Sequence, residues 1–261
     1  MTTITDCQWQ QYEREGYLRI GHVLSDDELA AVQRRLDQIM LGQADIDYDQ
    51  LLMQLDSTTG DYNDLGEQSK GFKGATRNYR KIQDLELDPL LLEYMQRRVF
   101  EQVAARTHGD APSVAVFRAM FMNKPAGAGT LLPWHQDRWE YLDRDPLITI
   151  YTAIDAATVD NGCVEIIPRS HARLINPDHP WGFLDEEHVE QHCEGADTVF
   201  VELAPGEVVL LHNWTLHRSD RNRTTQPRRA LSVCLMDGRT VDRRGERYRV
   251  LFGEGALKLP Q

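Results

Sequence analysis

Apolar residues follow a helical period in the first part of the chain. In residues 25–40 they recur at the spacing of one helix face, at Leu29, Val32, Leu36 and Ile39. Ser25 and Glu28 have the pattern of a capping box at the start of this helix. A second helix is predicted over residues 88–107, with Pro89 in its first turn. Between the two, the polar residues 42–81 predict a long loop with one short helix near YDQLLMQL.

The pattern changes to short strands from Val114 onward. Six segments have strand character: SVAVFRAMFMNK, LITIYTAID, CVEIIP, TVFVEL, EVVLLHNW and RRALSVCLMD. Turn sequences such as DNG and APG separate them, and several short strands at regular spacing favour a β-sandwich or barrel. We therefore predict a mainly β protein with flanking helices. It forms one domain over residues 1–261, with a helical part at about 1–110 and a β core at about 111–240.

Composition and charge narrow the classes of function. The 261 residues are 41% hydrophobic and 27% charged, as in an ordinary globular protein. The net charge of −12 predicts no nucleic-acid partner and no anionic membrane partner, and it favours a neutral or cationic substrate. No apolar run reaches the roughly 20 residues that span a bilayer. The first residues lack the apolar core of a signal peptide. The four cysteines form no CxxC pair, so we expect free thiols and a cytoplasmic location.

The segment PWHQDRW holds the first candidate for chemistry. His135 and Asp137 lie two residues apart, so on a strand they point to the same face and their side chains converge. A third metal ligand is available in EVVLLHNWTLHRSDRN, as His212 or His217. These two are five residues apart and would face opposite ways on one strand, so only one can join the pair. Two histidines and one carboxylate are typical of non-haem Fe(II) oxygenases.

An oxygenase that uses 2-oxoglutarate also needs a cation for the distal carboxylate of that cosubstrate. The planar fork of arginine suits a carboxylate, and QPRRALSVCLMD offers Arg228 and Arg229. Arg228 shares a strand face with small residues that leave room for a ligand, namely Ala230, Ser232 and Cys234. Arg229 shares the other face with packing residues, namely Leu231, Val233 and Leu235. We therefore predict that Arg228 is the anchor.

These segments together resemble the phytanoyl-CoA dioxygenase family of Fe(II)/2-oxoglutarate enzymes. The matching pieces run in family order from Asn123 to Asp237: NKP, WHQD, DNGCVEIIPRSH, PGEVVLLHNWTLHRSDRN and RRALS. The N-terminal YEREGYLRIGHVLSDDEL also resembles the opening segment of the family. The resemblance implies a double-stranded β-helix (jelly roll, cupin-like) with the metal between its two sheets. It implies His217 as the third ligand, Arg228 as the carboxylate anchor, and further contacts to 2-oxoglutarate from Thr149, Ser219 and Asn123.

The resemblance also implies a reaction. Fe(II), 2-oxoglutarate and O₂ are the expected cofactors, and succinate and CO₂ the expected co-products. The expected target is an unactivated C–H bond, oxidised by hydroxylation or by oxidative ring closure, and the acidic charge of the chain favours a small, polar secondary metabolite as the substrate. We predict that Trp139, Arg118 and Tyr151 line the substrate pocket. The presence of Asp137 favours oxygen transfer over halogenation. Two alternatives stay open: a metal enzyme of the same fold that does not use 2-oxoglutarate, and a non-catalytic protein that binds a small molecule.

Overall fold

The structure, a computed structural model, describes residues 3–259. Its α-helices are α1 (Asp6–Glu15), α2 (Asp26–Met40), α3 (Pro89–Met95), α4 (Arg98–Thr107) and α5 (Glu186–His192). Its strands are β1 (Tyr17–His22), β2 (Leu52–Leu55), β3 (Ser69–Lys70), β4 (Tyr79–Gln83), β5 (Ser113–Lys124), β6 (Leu132–His135), β7 (Ile148–Ala153), β8 (Val164–Ile166), β9 (Val199–Val201), β10 (Glu207–His212), β11 (His217–Ser219), β12 (Arg228–Asp237) and β13 (Val250–Gly253).

The strands form two antiparallel sheets. The major sheet has nine strands in the order β1-β10-β7-β12-β5-β4-β2-β3, with β13 also paired to β5. The minor sheet has four strands in the order β6-β11-β8-β9. Apolar side chains of both sheets pack together between them, including Tyr151 and Val209 from the major sheet and Ile166 and Val201 from the minor sheet. This arrangement is the predicted jelly roll.

A second apolar layer covers the outer face of the major sheet. Leu231, Val233 and Leu235 of β12 are fully or almost fully buried there. They belong to one hydrophobic cluster with side chains of α2, α3 and α4, such as Leu36 and Leu91. The prediction that this face of β12 is a packing face is confirmed. Because β12 pairs with β5 on one side and β7 on the other, its inner face is directed into the space between the sheets.

The first predicted helix is confirmed, but the second is divided. Helix α2 is capped by Ser25, whose side chain and that of Glu28 form the predicted capping box. The predicted helix over 88–107 is instead α3 and α4, interrupted at Gln96 and Arg97. Here Gln96 donates to the carbonyl oxygens of Leu251 and Leu257, and Arg97 is extended with φ −59° and ψ 143°. The break therefore coincides with hydrogen bonds to distant segments of the chain. Such contacts cannot be predicted from the period of the apolar residues.

The predicted long loop over 42–81 is wrong, since three strands lie within or overlap it. The segment YDQLLMQL forms a 3₁₀ turn at Tyr48–Gln50 and then β2; Leu51, between the two, and Met53 of β2 are fully buried. Strand β4 pairs with β5 and so extends the major sheet. At the N-terminus, α1 and β1 were not predicted, and β1 pairs with β10. No helix within residues 3–259 has the length and apolar character needed to cross a membrane.

The helix-covered face of β12 should contribute strongly to stability. Leu231 is 0% exposed in this layer, whereas Leu131 is 40% exposed. We expect Leu231→Ala to lower the free energy of unfolding by roughly 2–5 kcal/mol, because it removes buried methyl groups and leaves a cavity. The control Leu131→Ala should change it by less than about 0.5 kcal/mol. Urea unfolding followed by circular dichroism measures both values, and equal losses for the two variants would contradict this assignment of the core.

Candidate active site

Three side chains from the minor sheet and its adjoining loop converge between the sheets. His135 ends β6 and is paired with His217, the first residue of β11. Asp137 lies two residues beyond His135 and reaches both rings: its carboxylate oxygens are 3.8 Å from Nε2 of His135 and 3.8 Å from Nε2 of His217. One potential ligand atom from each of the three residues lies within 4.8 Å of the others. The strand-face argument from the sequence predicted the first two of these residues as neighbours.

The two histidines are oriented by backbone hydrogen bonds. Nδ1 of His135 is 2.9 Å from the carbonyl oxygen of Pro133, and Nδ1 of His217 is 2.8 Å from that of Thr215. A carbonyl oxygen can only accept, so each Nδ1 donates a proton to it and each Nε2 is left facing Asp137. Burial, followed by the nearby His217, lowers the pKa of His135 to about 3, which keeps its imidazole neutral. Two imidazoles whose Nε2 atoms face one carboxylate fit a divalent metal such as Fe(II).

His212 lies apart from these three residues. Its Nδ1 accepts a hydrogen bond from the backbone N–H of Trp214, and its ring centroid is 4.9 Å from that of His171. Burial and His171 lower the pKa of His212 to about 4. His212 ends β10 in the major sheet, whereas His217 begins β11 in the minor sheet. The premise that both histidines lie on one strand is therefore wrong; the turn between the sheets separates them.

The three residues open into a cavity of about 720 Å³ between the sheets. This is within the range of small-molecule sites. At one end lies Arg228, which is 2% exposed. Its Nη1 donates to the hydroxyl of Tyr151 at 2.7 Å and its Nη2 to the carbonyl of Gly162 at 3.0 Å, while Nε has no partner among the described residues. No carboxylate neutralises this buried guanidinium within residues 3–259.

Arg229 is directed away from the cavity. It forms ion pairs of 2.7 Å with Asp155 and 2.7 Å with Asp37 of α2. Arg229 donates four hydrogen bonds to these two carboxylates, three from its guanidinium and one from its backbone N–H. The structure therefore separates the two arginines as the alternation along β12 predicts, with one guanidinium facing the cavity and the other paired on the helix side.

The predicted contacts to 2-oxoglutarate divide into two groups. Thr149 and Ser219 line the cavity, and Thr149 donates its hydroxyl to Oδ1 of Asn213 at 2.7 Å. Asn123 does not line it. Its register partner on β12 is Arg229, so it lies on the opposite sheet face, and its side-chain amide donates to the carbonyl of Tyr79 at 2.8 Å. This placement argues against a contact from Asn123 to a ligand in the cavity, because its side chain ties β5 to the start of β4.

The predicted substrate residues lie at different ends of the cavity. Trp139 and Arg118 are together at one end, where the guanidinium lies 4.8 Å from the indole ring. Tyr151 also lines the cavity, but its hydroxyl is bonded to Arg228. We therefore place Tyr151 with the residues around Arg228.

Two further lining residues were missed by the sequence reasoning. Lys81 of β4 faces the cavity, and burial, followed by Arg80 and Arg118, holds its pKa well below the ordinary value for lysine, while Asp137 opposes the shift. Phe183 stacks on His135 with ring centroids 5.0 Å apart. Lys81 belongs to the segment interpreted as a loop, and Phe183 lies outside every predicted strand; pairing with Met122 and with His135, respectively, brings them to the site.

Comparison with known proteins gives the family. The family model of the phytanoyl-CoA dioxygenases (PhyH) matches residues 12–230. The chain belongs to the phytanoyl-CoA dioxygenase family. As a member it is a non-haem iron, 2-oxoglutarate-dependent dioxygenase whose cofactors are Fe(II), 2-oxoglutarate and O₂.

Relatives of this dioxygenase differ in their named substrates. A probable phytanoyl-CoA dioxygenase of Caenorhabditis elegans is 27% identical over 85% of this chain and 72% of its own. A methylphosphonate hydroxylase of Gimesia maris is 26% identical over 95% of this chain and 86% of its own. Among solved structures, EctD from S. alaskensis with 2-oxoglutarate and 5-hydroxyectoine has a TM-score of 0.70 at 19% identity, over 98% of this chain and 82% of that one. The last likeness supports the fold.

The two candidate histidines give a direct test of the metal site. We expect His217→Ala to lose high-affinity Fe(II) binding, because the remaining His135 and Asp137 cannot complete the set. His212→Ala should bind Fe(II) like the parent, since its ring contacts His171 and the backbone of Trp214. Anaerobic equilibrium dialysis followed by iron analysis measures both. Loss of Fe(II) binding in His212→Ala with retention in His217→Ala would refute the assignment.

Proposed function

We propose that this dioxygenase oxidises an unactivated C–H bond of a small, polar molecule and releases succinate and CO₂. The observation that carries the proposal is one cavity that holds both the His-Asp-His set and, on another wall, the unneutralised guanidinium of Arg228. A metal ligand set and a separate carboxylate anchor are what a 2-oxoglutarate-dependent oxidation needs. Hydroxylation is the simplest outcome, and oxidative ring closure is distinguished from it by the mass of the product.

In this proposal His135, Asp137 and His217 hold Fe(II), which, once bound, supplies the activation of O₂ that C–H oxidation requires. Arg228 binds the distal carboxylate of 2-oxoglutarate through its planar fork. Tyr151 accepts one hydrogen bond from Arg228 and so fixes the direction of the guanidinium. Ser219 lines the cavity with a hydroxyl group available to donate to the cosubstrate, whereas the hydroxyl of Thr149 donates to Asn213 and must exchange that bond to do so.

Aromatic side chains cover part of the metal set. Phe183 covers one face of the His135 ring, and its own ring lies 5.3 Å from Tyr62. These aromatic side chains come from two loops outside the sheets. This cover reduces the access of solvent to one face of the metal set.

An assay of succinate release and O₂ consumption tests two alternatives to this proposal. A metal enzyme of the same fold that does not use 2-oxoglutarate would release no succinate, and a non-catalytic binding protein would consume no O₂. Methylphosphonate, named for the Gimesia maris relative, belongs in the substrate panel together with polar metabolites. A reducing, cytoplasmic setting stays part of the proposal, in keeping with four free cysteines.

The cosubstrate anchor is tested by the neighbouring arginines. We expect Arg228→Ala to weaken 2-oxoglutarate binding roughly ten- to a hundredfold, because a charge-assisted bidentate contact contributes about 1.5–3 kcal/mol. Fe(II) affinity should stay close to that of the parent, since Arg228 is not among the three ligands. The measurement is an anaerobic titration of the Fe(II) protein with 2-oxoglutarate, followed through the metal-to-ligand charge-transfer band.

Arg229→Ala is the matched control in the same titration. It should retain parental 2-oxoglutarate affinity and instead lose stability, because Asp155 and Asp37 are left without their partner. A large loss of 2-oxoglutarate affinity in Arg229→Ala, with little change in Arg228→Ala, would disprove the assignment.

A further inference from the structure

The cavity contains a second arginine without a carboxylate partner. Arg118 of β5 lines the cavity, and within residues 3–259 it forms no ion pair and no side-chain hydrogen bond by ordinary geometric limits. The other arginine on these walls away from Arg228 is Arg218, whose Nε lies 2.6 Å from Glu165. Arg118 thus differs from Arg218 in having its charge available to a ligand.

Arg118 is too far from Arg228 to share its ligand. In the ladder between β12 and β5, Arg118 is paired with Cys234, and Cys234 follows Arg228 by six residues. At about 3.4 Å per residue along an antiparallel strand, the Cα atoms of Arg228 and Cys234 are roughly 20 Å apart. A carboxylate bound by Arg228 therefore leaves Arg118 unoccupied, and the cavity has two distinct cationic ends.

Aromatic rings hold the guanidinium of Arg118 in place. Its Cζ lies 4.8 Å from the ring centroid of Trp139 and 5.0 Å from that of Phe117. These two rings contact each other edge to face, with centroids 4.4 Å apart. Stacking of this kind satisfies the faces of a guanidinium and leaves the N–H groups at its edge free to donate. The arrangement is a preformed receptor for a planar or tetrahedral oxyanion.

The remaining charges around the cavity favour an anion as well. Lys81 also lines it and has no ion-pair or hydrogen-bond partner among the described residues. The one carboxylate among the described lining residues is Asp137, which belongs to the metal set. An anionic ligand would therefore meet the unneutralised guanidinium of Arg118 and no carboxylate outside the metal set, whereas a cationic ligand would meet repulsion.

We propose that the primary substrate carries a carboxylate or phosphonate group that Arg118 binds, with the oxidised carbon between this group and the His-Asp-His set. The proposal rests on the proposed function and names the substrate class. It replaces the expectation of a cationic or neutral substrate, which came from the net charge of the whole chain. Arg118 acts here as a specificity-determining residue, and Trp139 with Phe117 position it.

The test compares ligands that differ in charge and little in shape. Hexanoate, pentylphosphonate and hexanamide are titrated by calorimetry into anaerobic protein loaded with Fe(II) and saturating 2-oxoglutarate, so that Arg228 is already occupied. We expect at least one of the two anions to bind the parent roughly tenfold or more tightly than hexanamide. Which anion binds more tightly identifies the oxyanion.

Three variants then show whether Arg118 causes the preference for an anion over hexanamide. Arg118→Gln should bring the affinities for anion and amide close together, and Arg118→Lys should retain part of the preference, since a point charge lacks the planar fork. Arg218→Gln is the matched control: it removes an arginine of the same cavity that Glu165 already neutralises, and the anion preference should persist. The charge-transfer band with 2-oxoglutarate serves as a check that each variant is folded and loaded.

The outcomes separate this inference from the proposed function. If the parent forms the 2-oxoglutarate band but binds neither anion more tightly than hexanamide, or if Arg118→Gln keeps the preference, the substrate assignment is overturned while the proposed function stands. Undetectable binding of both anions to the loaded parent counts against it in the same way. If the parent forms no 2-oxoglutarate band at all, the proposed function itself fails.

Discussion

The register of β12 is the constraint on which the site depends. This strand is hydrogen-bonded to β5 on one side and β7 on the other, so a slip of one residue would break two ladders at once. The same slip would move Leu231 and Val233 from the helix-covered core into the cavity. It would also exchange Arg228 and Arg229, placing an ion-paired arginine where the free one is needed. Apolar packing on one face of the strand thus fixes which chemistry faces the other.

Charge inside the cavity differs in sign from charge on the whole chain. The net charge is −12, yet the described lining residues include Lys81, Arg118 and Arg228 without carboxylate partners. Overall charge counts every exposed carboxylate, and most of these are solvated or paired on the surface, where they influence solubility and long-range steering. A ligand between the sheets experiences the few groups that face it, in a medium that screens them less. The residues that line the cavity therefore determine which ligands bind, and the net charge of the whole chain does not predict the charge of the ligand.

Sequence patterns correctly predicted the features that depend on residues close together in the chain. The cap and apolar face of α2, the faces of β12, and the convergence of His135 with Asp137 each follow from a period of 3.6 or 2 within a few residues. The predictions were wrong where contacts with distant segments of the chain determine the structure. Strand β4 forms because β5 offers it an edge, the break before Arg97 depends on tertiary hydrogen bonds, and Asn123 turned out to face the helix side with Arg229. Resemblance to a family named His217, but only the two-sheet topology explains why it, rather than His212, reaches the site.

The central claim is that one cavity binds 2-oxoglutarate at the Arg228 end and leaves the Arg118 end for the substrate. The most direct measurement is a crystal structure of the protein grown anaerobically with Fe(II) and 2-oxoglutarate. We expect the distal carboxylate of 2-oxoglutarate to lie on the guanidinium of Arg228 with N–O contacts of about 2.7–2.9 Å, the metal to lie among His135, Asp137 and His217, and Arg118 to remain free of cosubstrate. A distal carboxylate seated on Arg118, or a metal bound through His212, would contradict the claim.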